Sequence, residues 1–341
     1  MTARRGFTEG RGTRPFRKRL GAAALLVPAV ALAGCSSEGG RAGAQAEGEG
    51  GQVAQTERME IAMVTHAPPG DTFWDIVRQG AEAAAAKDNV ELLYAGDPEA
   101  SQQAQLVQQY IDQGVDGIAV TLSNPGAMST ALQEAEEAGI PVVALNAGME
   151  QYEDLGAFAY FGSNEQLAGE AVGERLKEEG LSHPICVIQD QGHVGLEDRC
   201  AGVENILPET EILYVEGTDM TQVASTATAK LQTSQAADSI IGLGAPITMT
   251  LLESKQQAGS DVAVVSFDLN GELAQAIVDG EVLFTVDQQP WLQGYMSVDS
   301  LWQNEFGGFQ IGGGQPVLTG PAIVDADNAD EVLEYAQEGI R

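Results

Sequence analysis

From Glu60 onward the chain alternates two kinds of segment. Short runs rich in β-branched and apolar residues are followed by amphipathic runs of about ten to fifteen residues, and the series occurs twice. A strand followed by a helix of this length returns parallel to its neighbour, so the pattern specifies βαβ units and parallel sheet. The first series predicts strands near 61–65, 90–94, 117–122, 142–145 and 159–161, with helices near 73–87, 99–113, 125–138 and 165–178. The second predicts strands near 185–189, 211–215, 239–243, 263–267 and 283–286, with helices near 196–206, 221–234, 247–257 and 272–278. A helix near 290–306, a glycine-rich loop at 307–314 and a last helix near 328–339 follow. Pro141 and Pro184 each open a strand after a helix stop. A (β/α)8 barrel requires eight units about one axis, whereas these number about ten in two blocks. The expected class is α/β, with two doubly wound parallel-sheet lobes.

The segment before this body reads as an address. Residues Arg14 to Arg19 are cationic, and Gly21 to Ala33 is an apolar stretch too short for a permanent membrane span. It runs into Leu32-Ala33-Gly34-Cys35, which resembles a bacterial lipobox. Residues 1–34 are therefore expected to be a lipoprotein signal peptide and Cys35 the lipidated residue. The alternative is an ordinary signal peptide with an incidental cysteine. Residues 36–58 are rich in Gly, Ala, Gln and Glu without apolar periodicity, so residues 35–58 are read as a lipid anchor and flexible tether. The expected location is extracytoplasmic, at the outer face of the cell membrane. In an oxidising compartment Cys186, in a predicted strand, and Cys200, in the helix after it, could form a disulfide. Two buried free thiols are the alternative.

Charge narrows the partners. The chain carries 17 Lys+Arg against 50 Asp+Glu, a net charge of −33. Seven of those cations fall in residues 1–34, so the body is more acidic still. Nucleic-acid binding needs clustered cations and is excluded. The histidines His66, His183 and His193 are scattered along the sequence, with no Cys/His ligand spacing, so neither a metal site nor a histidine-based nucleophilic triad is expected. Gly242-Leu243-Gly244 lacks the third glycine of the dinucleotide fingerprint, and no cofactor is expected.

In open parallel sheets ligands bind beyond the carboxyl ends of the strands. The residues at those ends include His66, Asp71 to Trp74, Thr121, Asn146 and Ser163 in the first series. In the second they include Gln189-Asp190, Asp268 and Gln288. They are amides, hydroxyls and carboxylates, with an aromatic pair at the start of the first helix and no cation. A carboxylate accepts adjacent hydroxyl protons, amides both donate and accept, and an aromatic face packs on the C–H face of a sugar ring. The set suits a neutral polyhydroxylated ligand. Asp268 has the alternative role of a helix cap before Gly271, and Trp74 that of a core residue.

These residues, in this order, resemble the type I solute-binding proteins of bacterial ABC importers, in the ribose/galactose-type branch. The resemblance covers about residues 59–325. Its marks are Ile61-Ala62-Met63-Val64-Thr65 followed by Asp71-Thr72-Phe73-Trp74, then Gln113-Gly114-Val115-Asp116-Gly117-Ile118 and Ala138-Gly139-Ile140-Pro141-Val142-Val143. Arg199-Cys200-Ala201-Gly202-Val203, Val264-Val265-Ser266-Phe267-Asp268 and Thr285-Val286-Asp287-Gln288-Gln289-Pro290 complete them.

The resemblance implies two lobes joined by a hinge of several crossings, 59–163 with 289–316 forming one and 164–288 with 317–341 the other. It implies an aromatic wall from Phe73 and Trp74, and polar contacts from His66, Asp71, Thr121 and Asn146. It further implies a sugar-binding carboxylate at Asp268, a hinge glutamine at Gln288, and Ser163 at the first crossing. It implies a monomer, not an enzyme, that passes a neutral monosaccharide or polyol to an ABC permease. A sensory protein feeding a receptor is the alternative. Arg199 and Trp291 are expected to be structural. The chain departs from the ribose pattern at Asn146-Ala147, where that pattern has Asp-Arg, and at Ala245-Pro246, where it has Asn-Asp. Two polar contacts of the ribose pattern are thus absent, which counts against ribose itself and leaves another pentose, a sugar alcohol or a cyclitol equally open.

Overall fold

The computed structural model describes residues 53–68 and 70–341. The expected signal peptide at 1–34, Cys35 and the tether through residue 52 lie outside the described residues. In chain order the first lobe has β1 (Met59–Thr65), α1 (Thr72–Asp88), β2 (Val90–Gly96), α2 (Ala100–Gln113), β3 (Gly117–Thr121), α3 (Pro125–Ala138), β4 (Val142–Asn146) and β5 (Tyr160–Gly162). The chain then crosses into α4 (Glu165–Glu178), β6 (Pro184–Ile188), α5 (Val194–Ile206), β7 (Glu211–Tyr214), α6 (Met220–Thr233), β8 (Ser239–Gly242), α7 (Ala245–Ala258), β9 (Ala263–Phe267), α8 (Gly271–Val278) and β10 (Phe284–Asp287). It returns for α9 (Pro290–Gly307) and β11 (Val317–Leu318). A third crossing leads to β12 (Ala322–Asp325) and α10 (Ala329–Gln337).

The two sheets have the same layout. Their strand orders are β11-β5-β4-β3-β1-β2 and β12-β10-β9-β8-β6-β7, parallel throughout except for β12, which runs antiparallel to β10. β3, β4, β5, β6, β8 and β10 are buried at every position, as parallel strands covered by helices on both faces must be. The predicted lobes and alternating elements are present. The expected boundary at 316/317 is corrected by two residues, because Val317 and Leu318 pair with Phe161 and Gly162 in the first sheet. A two-residue strand is too short to leave a period in the sequence.

Closely packed helix pairs hold each lobe. α9 packs on α1, and α4 packs on α5. The pairs approach closely enough to require glycine: a Cβ on Gly294 would lie 1.8 Å from the Val77 carbonyl oxygen, and one on Gly169 2.0 Å from that of Arg199. The Cys186 and Cys200 sulfurs are bonded, joining β6 to α5 with a Cα–Cα distance of 5.9 Å. The end of the expected tether is also corrected. Ala54 N donates to the Lys87 carbonyl at 2.9 Å, Asn89 Nδ2 to the Thr56 carbonyl at 2.9 Å, and Trp302 Nε1 to Thr56 Oγ1 at 3.2 Å. Residues 54–56 are thus fastened to the base of the first lobe. Among the described residues, no helix is long and apolar enough to cross a membrane.

Candidate functional site

The strand ends of the two lobes enclose a cleft of about 750 Å³. Seven of the nine expected contacts line it: His66, Asp71, Phe73 and Trp74 from the first lobe's leading loop and helix, Asn146 from β4, Asp268 after β9, and Gln288 after β10. Thr121 and Ser163 do not reach it. Thr121 is fully buried behind His66, where its Oγ1 accepts from the His66 backbone N–H at 3.0 Å and its carbonyl accepts from Gln103 Nε2 at 2.9 Å. Ser163 lies at the first crossing with its hydroxyl buried and unpartnered, and its carbonyl accepts from Tyr160 Oη at 3.1 Å. Both sit at a strand end, but the pleat turns them inward.

The polar floor of the cleft is a network through the hinge. Gln288 Nε2 donates to Asp268 Oδ1 at 2.6 Å, while Gln288 Oε1 accepts from Asn146 Nδ2 at 3.1 Å. Gln293 Nε2, from α9, donates to the same Oε1 at 2.8 Å. Asn146 and Asp268 both have left-handed backbones, with φ of 68° and 65°. Their side chains therefore leave the strand direction and turn into the cleft, a conformation that Asn and Asp tolerate better than most residues. Asp268 does not cap α8; Asn270 does, accepting from Leu273 N at 2.8 Å. Burial raises the Asp268 pKa to about 7, against the opposing pull of Arg199 and Gln288.

The side walls differ. Trp74 and Phe73 meet edge to face at 5.0 Å, and His66 packs edge-on against Trp74 at 4.7 Å. Both aromatic residues also belong to the first lobe's core, so the two readings of Trp74 are compatible. Asp71 caps α1 by accepting from Phe73 N at 3.0 Å, and burial raises its pKa. Opposite them, Arg199 is buried in a fork on Glu165: Nε donates to Oε2 at 2.6 Å and Nη2 to Oε1 at 3.2 Å. Its Nη1 donates to the Leu243 carbonyl at 3.0 Å and stands 4.0 Å from Asp268 Oδ2. Burial works to deprotonate Arg199, and Glu165 and Asp268 outweigh it, so its pKa is raised. Arg199 thus has the expected structural role and also forms part of the cleft wall. Glu165, the first residue of α4, was not singled out in the sequence because an acidic residue in a helix's first turn is ordinarily accounted for by the helix dipole. His193 was also missed. It caps α5 through Nδ1, and its Nε2 lies 3.0 Å from that of His66. Among the described residues, no group of three or more His, Cys, Asp or Glu could hold a metal ion.

The lobes touch across the mouth of the cleft. Val194 N donates to the Ser123 carbonyl at 3.1 Å, and Asn270 Nδ2 to Thr72 Oγ1 at 3.4 Å. Two like α/β lobes, three hinge crossings and a cleft built from the strand ends of both define a solute-binding protein of type I periplasmic architecture. The chain belongs to the periplasmic binding protein domain family, whose model matches residues 61–307. It is similar to the crystal structure of a carbohydrate transporter from Acidothermus cellulolyticus 11B in complex with myo-inositol. The identity is 46%, covering 84% of this chain and 100% of that one, with a TM-score of 0.83. It also resembles the xylose/arabinose-binding protein XylF of Sulfolobus acidocaldarius, with 26% identity over 268 residues, 72% of this chain and 66% of that protein. The ribose import binding protein RbsB of Bacillus subtilis is 23% identical over 235 residues, 67% of this chain and 76% of that protein. These relatives are binding proteins, and this chain is a binding protein and not an enzyme.

Proposed function

We propose that this protein is the extracytoplasmic, lipid-anchored capture component of an ABC importer, taking a neutral polyhydroxylated ring with an inositol as first candidate. The observation that carries the reading is the line Asn146–Gln288–Asp268, which offers amide and carboxylate groups from one lobe, the hinge and the other lobe to a single cavity. Such a ligand satisfies adjacent hydroxyls on Asp268 and Asn146 and lays its C–H face on Trp74. Arg199, among the described residues the one Lys or Arg lining the cleft, is already paired to Glu165, which disfavours an anionic ligand. The departures from the ribose pattern at Ala147 and at Ala245-Pro246 argue against ribose, and the similarity to a structure holding myo-inositol favours a cyclitol.

The mechanism follows from the hinge. A ligand held by one lobe gains hydrogen bonds and stacking from the other only when the lobes meet, so it shifts the population toward closure. A permease then reads the closed form. Buried Asp and amide groups reject analogues that lack a hydroxyl, because an unpaired buried polar group costs roughly 1–3 kcal/mol. A thermal-shift screen of the purified protein against pentoses, hexoses, polyols and inositols tests the reading. The expected result is stabilisation by an inositol above the other compounds. Stabilisation by amino acids or anions, with none by neutral polyols, would overturn it.

A further inference from the structure

Two histidines from opposite lobes meet at the cleft. His66 follows β1 in the first lobe, and His193 opens α5 in the second. Their Nε2 atoms are 3.0 Å apart and their rings meet edge-on at 4.7 Å. Only one proton fits between two imidazole nitrogens at that distance. The surrounding hydrogen bonds assign it. His193 Nδ1 accepts from the backbone N–H groups of Gly195 and Leu196 at 3.1 and 3.3 Å, so it carries no proton. The neutral ring must then hold its proton on Nε2 and donate it to His66 Nε2. His66 keeps its own proton on Nδ1, 2.8 Å from Thr121 Oγ1, which accepts it. A further proton on His66 would set two N–H groups head to head across the lobe boundary.

We propose that this pair is a proton-sensitive latch on closure: the lobes meet around ligand only while His66 is neutral, so capture at mildly acid pH expels a proton and acidification promotes release. The proposal rests on the reading of the protein as a ligand-capturing component and adds a regulation of the same site. Opening the hinge parts the rings, exposes His66 Nε2 to water and returns its pKa toward the ordinary value of about 6.5. His193 keeps its cap in either state, because Gly195 and Leu196 belong to its own lobe. One group therefore carries the effect.

The surroundings agree. With the lobes in contact, burial lowers the His66 pKa well below its ordinary value, and His193 and Arg199 lower it further. Burial and Arg199 bring His193 to about 3. The ionisable groups facing the cleft are Asp71 from the head of α1, Glu165 from α4, Arg199 from α5 and Asp268 after β9. Glu99 before α2, Asp190 after β6 and Glu216 after β7 line it further out. Among the described residues, none of these carboxylates hydrogen-bonds to either imidazole. The sign follows: a histidine whose pKa is depressed by closure supports closure fully above the open-state pKa and loses that support as pH falls below about 6.5. Between about pH 7.5 and 5.5 one such group changes affinity about tenfold.

The test is calorimetric titration with myo-inositol at about pH 7.5 and 5.5, for the wild type and His66→Gln. Asp268 also titrates in this window, but in both proteins, so the readout is the difference between their pH ratios. The expected result is that the wild type weakens on acidification about tenfold more than the variant and releases close to one additional proton per ligand at pH 5.5. Equal ratios in the two proteins overturn the latch. If His66→Gln does not fold, His193→Asn, whose side-chain oxygen still caps α5, takes its place under the same criterion. Absence of myo-inositol binding at pH 7.5 refutes the inositol reading alone. The latch is then read on ligand-free protein, from the distance between spin labels on cysteines substituted at the exposed Ser101 and Thr221. A short-distance population that shrinks at pH 5.5 in the wild type and persists with His66→Gln supports it, and identical distributions at both pH values overturn it.

Discussion

Asn146 and Asp268 are counterparts. Asn146 ends β4 and Asp268 follows β9, the third strands from the β11 and β12 edges; each residue has a left-handed backbone, and each presents its carbonyl oxygen to a hydroxyl from the adjacent strand. Tyr160 Oη donates to the Asn146 carbonyl at 2.7 Å, and Thr285 Oγ1 to the Asp268 carbonyl at 2.5 Å. The single amide of Gln288 joins their side chains. The two lobes thus aim equivalent residues at one point, and the hinge residue between them senses both.

Replacing Asp268 by Asn keeps a side chain that tolerates the left-handed backbone and removes the charge. Charge-assisted hydrogen bonds contribute about 1.5–3 kcal/mol, so polyol affinity is expected to fall roughly 10- to 100-fold by calorimetry. Stability should move the other way. Burial raises the pKa of Asp268 to about 7, so its contribution is full below the ordinary carboxylate range and is lost as pH rises through about 7. The melting temperature of Asp268→Asn relative to the wild type should therefore increase between about pH 5 and pH 8.

Glu165 and Arg199 form a buried pair, 7% and 5% exposed. Truncating either partner alone leaves a buried charge unmatched, and Arg199→Ala or Glu165→Ala is expected to lower unfolding free energy by about 3–5 kcal/mol. Joint replacement by apolar residues of similar volume should recover much of that loss in denaturant melts, while ligand affinity stays impaired because the Leu243 carbonyl and Asp268 lose their neighbour.

The Cys186–Cys200 bond closes a loop with a sequence separation of 14 residues. Restricting an unfolded chain over such a loop is worth about 3 kcal/mol. Reduction, or a paired Cys186→Ala/Cys200→Ala change, should lower the melting temperature by several degrees and leave polyol binding nearly intact, since neither sulfur lines the cleft.

Adding negative charge to the ligand should prevent capture. Among the described residues, the cleft is lined by Asp71, Glu99, Glu165, Asp190, Glu216 and Asp268 against Arg199 alone, and like-charge contact in a partly desolvated site costs several kcal/mol. An inositol monophosphate is expected to bind at least about 100-fold more weakly than the free inositol in a competition assay.

Much of this arrangement was legible beforehand because parallel strands and amphipathic helices imprint their burial on the sequence. Strands β1 to β10, the two lobes and seven cleft residues followed from that imprint and from the rule that ligands sit beyond strand ends, whereas the short β11 and β12 did not. The failures have different causes. Thr121 ends a strand buried at every position, so the alternation of the pleat does not tell its inward face from its cleft face. The strand Val317–Leu318 joins the first sheet through a pairing with residues more than a hundred positions away, beyond any local period.

Sequence alone determined the α/β layers, the cleft's mixture of amide, carboxylate and aromatic groups, and its poverty in cations, since these depend on residue type and spacing within a few turns of chain. Tertiary structure decided which groups face one another. It brought His66 to His193 across 127 positions and Asn146 to Gln288 across 142. It also locked Arg199 onto Glu165 instead of leaving it free. Such contacts depend on how a three-stranded hinge sets two rigid bodies against each other, and that geometry is a property of the assembled lobes and not of any one segment.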